Sequence, residues 1–151
     1  MHDPNTQGIR AIVWVEHLQQ LWIANENLHR VLIVDSIGRF VGTAKIKNPV
    51  GLFYDRTKNI VFVGSKKSSK NTGAVFGIDT ATRRVIKIFT LLGEETMNHP
   101  TGIVVSGDVL FVAEQTMNVV LTFNVTSERY IKEIIGKMNY GGVEHLALSD
   151  C

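Results

Sequence analysis

Any chemistry in this chain must come from a small set of side chains. Five histidines are present, and imidazole beside a carboxylate suits a divalent cation. His99 stands just before Pro100, and His145 directly follows Glu144. No close His-x-x-x-His spacing accompanies them. His17 and His29 read as turn residues, and His2 lies in the polar start of the chain. Ser106 falls in a Ser-Gly-Asp turn and Ser149 in Leu-Ser-Asp, and neither sits in a Gly-x-Ser-x-Gly elbow. Gly141-Gly142 precedes a strand-like run rather than a helix, so no phosphate loop is read there. No catalytic residue is assigned.

The second chemical signal is charge. The net charge is +2, yet eleven Lys or Arg stand against Asp55 and Asp79 between Arg39 and Lys87, while the rest of the chain is acidic. Such asymmetry can mark a surface for an anionic partner. Its densest part is the polar run Lys66-Lys67-Ser68-Ser69-Lys70-Asn71. No aromatic residue interrupts that run, whereas single-stranded nucleic acid is held by a basic groove with stacking aromatics. The plain reading of these lysines is solvated surface, and contact with RNA or another anion is the sharper one.

The elements that position these residues are repeated strands. His99 to Val125 holds three apolar runs, GIVV, VLFVA and VVLTF, separated by SGD and EQTMN. Val, Ile, Leu and Phe fit a pleated strand, and the separators have turn chemistry. Pro100-Thr101-Gly102 matches Pro49-Val50-Gly51, fifty-one positions earlier. Val109 to Ala113 matches Ile60 to Gly64 and Gln20 to Ala24. Third strands end at Asp35, Asp79 and Asn124, and fourth strands follow over Arg39–Ile46, Arg84–Leu91 and Arg129–Ile135. Asp35 and Asp79 recur at one position of the repeat, which argues for a turn role. Asn124-Val125-Thr126 is a glycosylation acceptor only in a secreted chain, and otherwise Asn124 makes an Asx turn.

Four short antiparallel strands in about 40–50 residues is the period of a propeller blade. The expected fold is all-β: a partial β-propeller of about three four-stranded blades, over 1–47, 48–97 and 98–139, with the first strand of a fourth over 140–151. Within it, Leu21, Ile23, Val61, Val63, Leu110 and Val112 are expected core positions between blades. Gly51 and Gly102 are expected to permit close approach near the axis. The loop between second and third strands should share a face with the link between blades, placing Lys66, Lys67 and Lys70 beside Lys47 and Asn48. Arg83 and Arg84 should sit on the opposite face.

Pro-x-Gly followed by an apolar run, a Val-Phe-Val-Ala-like strand, and Phe-Asn or Ile-Asp at the third-strand end resemble the NHL and YVTN repeats of β-propellers. Asn27 to Phe40 looks NHL-like, and Val75 to Thr82 looks YVTN-like. The resemblance implies closed rings of about six or seven blades. Three blades make an arc, so the chain reads as a piece of a longer protein or as half of a two-chain, six-blade ring. The resemblance also brings in metal-dependent propeller enzymes, gluconolactonase-like hydrolases and the peptide-amidating lyase, which hold a cation near the axis. It implies His99, Glu144 and His145, with Asn48, as the ligands such a cation would take here. Because a fold does not specify a function, three expectations stand. The first is a non-catalytic binding or scaffold module that presents loops of one face to a protein or peptide, with Lys66, Lys67, Lys70, Asn48 and His99 as contact candidates and no cofactor. The second is a fragment of a metal-dependent hydrolase or lyase. The third is RNA or anion binding through the basic second blade. No signal peptide or transmembrane segment is visible, and the compartment stays open; the one cysteine, Cys151, forms no internal disulfide.

Overall fold

The computed structural model describes residues 7–93 and 96–135. Twelve strands form three four-stranded antiparallel sheets, each a meander in chain order. The first holds β1 (Ile9–Val15), β2 (Gln20–Asn25), β3 (Arg30–Asp35) and β4 (Phe40–Ala44). The second holds β5 (Pro49–Asp55), β6 (Ile60–Ser65), β7 (Ala74–Asp79) and β8 (Val85–Phe89). The third holds β9 (Pro100–Ser106), β10 (Val109–Glu114), β11 (Val119–Asn124) and β12 (Tyr130–Ile135). β5 packs beside both β1 and β9, so the first strand of each sheet is innermost and β4, β8 and β12 are outermost. These sheets are blades. The expected fourth-blade strand over 140–151, with Glu144, His145 and Cys151, lies outside the described residues, as does His2.

Repetition in sequence becomes repetition in turn geometry. Asp35, Asp79 and Asn124 are the last residues of β3, β7 and β11. Asp35 Oδ1 accepts from the Ile37 and Arg39 N–H groups at 3.0 and 2.9 Å, and Asp79 Oδ2 from the Thr82 N–H at 2.9 Å. Asn124 Oδ1 accepts from the Ser127 N–H at 2.7 Å. Each side chain closes the turn into the outermost strand, as short side-chain acceptors do.

Alternation along the strands builds two cores. In β6, Val61 and Val63 point to the first blade and meet Trp22, Val31 and Ile33. Ile60 and Phe62 point the other way, to Val75, Phe89, Leu110, Val112 and Phe123. With both faces covered, every residue of β6 is buried. The Phe62, Phe89 and Phe123 rings follow one another with centroids 6.0 and 5.8 Å apart, the first pair tilted and the second edge-on. Burying one such ring contributes about 2 kcal/mol, against less than about 1 kcal/mol for an exposed ion pair. This buried cluster, with the Phe89–Phe123 contact crossing between blades 2 and 3, outweighs surface charge in holding them together.

Two expected core positions differ. Leu21 and Ile23 are only half-buried, and the alternating Trp22 and Ala24 are fully buried. Leu21 and Ile23 occupy the columns of Val61 and Val63 and of Leu110 and Val112, which a preceding blade covers. No blade precedes the first among the described residues. Cross-strand pairing therefore leaves two apolar rows open, Ile12–Ile23–Leu32 and Trp14–Leu21–Val34. Phe111, in the column of the fully buried Trp22 and Phe62, is likewise half-buried at the other end of the arc.

Close approach at the axis explains one of the two glycines singled out from the sequence. A Cβ on Gly51 would fall 2.4 Å from the Thr101 carbonyl oxygen of the next blade. Gly64 is tighter, at 2.0 Å from the Pro100 oxygen, while Gly102 meets only Ala113 Cβ, at 3.0 Å within its own sheet.

Candidate binding site at the axial mouth

On one face of the arc, the loops after the second strands meet the links that enter the innermost strands. The link residues are Gly8, Asn48 and His99, and the loop residues are Glu26, Lys66 and Gln115. In each blade the loop residue donates its backbone N–H to the link carbonyl: Glu26 to Gly8 at 2.8 Å, Lys66 to Asn48 at 2.9 Å and Gln115 to His99 at 3.0 Å. The Lys67 N–H then reaches the Asn98 carbonyl of the following blade at 2.7 Å. This repeated clamp brings loop and link side chains from three blades to one mouth.

A column of buried polar residues, Asn25, Ser65 and Glu114, ends the second strands and holds the clamp. Asn25 Oδ1 accepts from the Leu28 N–H at 3.2 Å, and the Ser65 hydroxyl donates to the Lys47 carbonyl at 2.6 Å. Glu114 does both jobs: Oε2 accepts from the Met117 N–H at 3.0 Å, and Oε1 accepts from the His99 N–H. A buried carboxylate is tolerated because backbone donors occupy both of its oxygens.

The electrostatics couple the blades. Glu26 accepts from Arg10 Nε at 2.8 Å and lies 3.7 Å from Lys66 Nζ. Burial pushes the Glu26 carboxyl up, but the Arg10 hydrogen bond and the Lys66 and Arg10 charges outweigh it and hold it below the usual carboxylate range. The His99 imidazole is lowered, first by burial and then by the Lys66 charge, which together outweigh the attraction of Glu26 and Glu114. His99 is thus mainly neutral at pH 7, offering one ring donor and one ring acceptor.

Lys66, Lys67, Ser68, Asn98, His99 and Thr116 line an open groove of about 460 Å³ at this mouth. Its chemistry is cationic and hydrogen-bonding, suited to a polar or anionic group presented by a partner. A larger cleft of about 600 Å³ opens on the outer rim between blades 2 and 3, and a smaller one of about 350 Å³ between blades 1 and 2, reaching in from β8 to Lys47 and Ser65 beside the clamp.

Of the residues singled out from the sequence, Lys66, Lys67 and His99 come together in the groove. Asn48 backs it, with Nδ2 donating to the Lys66 carbonyl at 3.4 Å and its N–H to His29 Nδ1 at 3.2 Å. Lys70 is exposed in the same loop and does not line the groove. Arg83 and Arg84 sit in the turn before β8, on the opposite face. Among the described residues, no three His, Cys, Asp or Glu side chains gather as a metal site. Arg10, Glu26 and Glu114 were missed. Their signal was a column: the two residues after Ala24, Gly64 and Ala113 are polar in every copy.

No family model matches the chain, and no curated protein matches it either. Solved structures do. Kuenenia stuttgartiensis hydrazine synthase superposes with a TM-score of 0.68 at 17% identity, covering 90% of this chain and 40% of that one. Citrobacter koseri AztD superposes with a TM-score of 0.65 at 14% identity, covering 91% of this chain and 38% of that one. Both are β-propeller-type folds, and the twelve strands described here form the same kind of arc. The chain spans about 40% of the length of these neighbours.

Proposed function

We propose that the chain is an arc of an NHL/YVTN-type propeller that acts as a non-catalytic binding module, taking a protein or peptide segment at its axial mouth. The observation that supports this reading is the groove itself, where Lys66 and Lys67 of one blade and Asn98 and His99 of the next are held by backbone clamps. A peptide selected from a random library on the 151-residue chain is expected to lose at least tenfold in affinity on Lys66→Ala, Lys67→Ala, His99→Ala triple substitution, with the circular dichroism spectrum unchanged. A selected peptide indifferent to all three changes would count against the site. A ligand that proved to be RNA would favour the anion reading through Lys66, Lys67 and Lys70, and its log affinity would fall against log salt by about 0.7 per phosphate contact. Saturable, metal-dependent turnover would instead favour the hydrolase or lyase reading through His99, Glu144 and His145.

We propose a second copy of the chain, or the further blades of a longer protein, as the cover for the end faces left open among the described residues. Ile12, Trp14, Leu21 and Ile23 offer the face that Val61, Val63, Leu110 and Val112 bury elsewhere, and Phe111 offers the opposite kind of face. In the first case, two such arcs would close a six-blade ring. Light scattering is expected to give a mass near twice 16.8 kDa, and a monomer at micromolar concentration would exclude this closure.

A further inference from the structure

We propose that the outer-rim cleft between blades 1 and 2 is a docking site for a short acidic peptide segment carrying an apolar anchor. The cleft exists because twisted sheets sharing an axis diverge towards their outer strands. Its volume of about 350 Å³ is at the low end for ligand sites, room for one or two apolar side chains and too little for a folded domain. Ile46 and Phe76 form its floor, and Val85 and Ile88 of β8 form its wall at 42% and 49% exposure. An outermost strand that shows two branched apolar side chains to solvent is a liability unless something covers them.

Charge selects the partner. The titratable residues lining this cleft are Lys45 and Lys47, and neither pairs with a carboxylate among the described residues. The cleft lies within the cationic Arg39–Lys87 stretch, whose two acids are already used. Asp55 holds Thr57 and Lys58, and Asp79 holds the Thr82 turn. The larger cleft between blades 2 and 3, which shares Ile88 and Thr90 with this one, gives the contrast. It is lined by Glu128, Arg129 and Glu133, and the Glu128 carboxylate already accepts the Ile88 N–H at 2.7 Å. Mixed signs there favour no partner charge, whereas lysines over an aliphatic wall favour carboxylates flanking a leucine-like anchor. A strand of RNA would want exposed stacking rings, and the one ring here, Phe76, is partly buried in the blade 1–2 core.

The test uses the 151-residue chain and a fluorescent peptide of two leucines flanked on each side by aspartate and glutamate, read by anisotropy. Saturable binding is expected, weakened at least tenfold by Lys45→Glu with Lys47→Glu and, separately, by Val85→Ser with Ile88→Ser. All four side chains are exposed, so the folded spectrum should persist. Replacing the leucines by serine, or the acids by their amides, should abolish binding, while Lys132→Ala, at an exposed position outside both sites, should leave it unchanged. The proposal is overturned if no saturable binding occurs, if the Val85 and Ile88 changes are silent, if only the Lys66 and Lys67 pair matters, or if an oligouridine of equal charge binds as well. The axial-mouth reading stands or falls separately, on the Lys66, Lys67 and His99 variants.

Discussion

Gly64→Ala is expected to destabilise the chain by about 3 kcal/mol, at the upper end of overpacking costs. The added Cβ would lie 2.0 Å from the Pro100 carbonyl oxygen. That oxygen belongs to the backbone of the next blade's innermost strand, so no rotamer change relieves the clash. Relief requires blades 2 and 3 to separate, which opens the edge-on Phe89–Phe123 contact. The control is Gly42→Ala. There the new Cβ would meet Arg83 Nη1 at 2.1 Å, but that atom is the tip of a long flexible side chain. Arg83 can swing aside, and the loss of unfolded-chain freedom offsets what remains, so the net change should stay within about 0.5 kcal/mol. Urea denaturation of both variants decides the matter. Equal midpoints would mean that the blades do not meet through Gly64.

Glu114→Ala is expected to cost about 3 kcal/mol, because it strands the His99 and Met117 N–H groups in a buried place. Glu114→Gln keeps one acceptor oxygen and should cost about half as much. The link into β9 is pinned by this carboxylate, so both variants should also loosen the axial groove. Hydrogen exchange read residue by residue should show the His99 and Met117 amides losing protection in Glu114→Ala while the amides of β6 and β7 stay protected. If Glu114→Ala shifts the denaturation midpoint no more than a surface change, the buried clamp is not the feature that holds the mouth.

Stability should also separate the cores from the mouth. The Glu26–Lys66 pair spans 3.7 Å at a partly exposed site, and such pairs contribute less than about 1 kcal/mol. Its consequence is electrostatic: Lys66 helps to keep His99 neutral at pH 7, which decides whether the groove greets a partner with two charges or three.

Most of the fold was legible because a blade is written locally. Apolar alternation marks a strand, Asp or Asn at its end marks a turn, and three copies in register expose the period. Asp35, Asp79 and Asn124 were recognisable as turn residues because the backbone N–H groups that their side-chain oxygens accept from lie only two to four residues along the chain. The convergence of Lys66 with His99 was partly legible, since matching Asn48 to His99 across the repeat places both at a blade entrance.

What the chain's order alone determined was the strand pattern, the sheet in which each strand belongs, and the face of the arc to which each loop goes. These follow from a period-two alternation and from turns closed within a few residues. What only the tertiary structure decided was which face of each blade is covered, so that Trp22 is buried and Leu21 is not. It also decided that Gly64 touches the backbone of the next blade, and that Arg10, Glu26, Lys66 and His99 share one mouth. The physical reason is distance along the chain. These contacts join residues of different blades, dozens of positions apart, and the angle at which one blade packs on the next is set by side-chain volume at the axis, which no local pattern records.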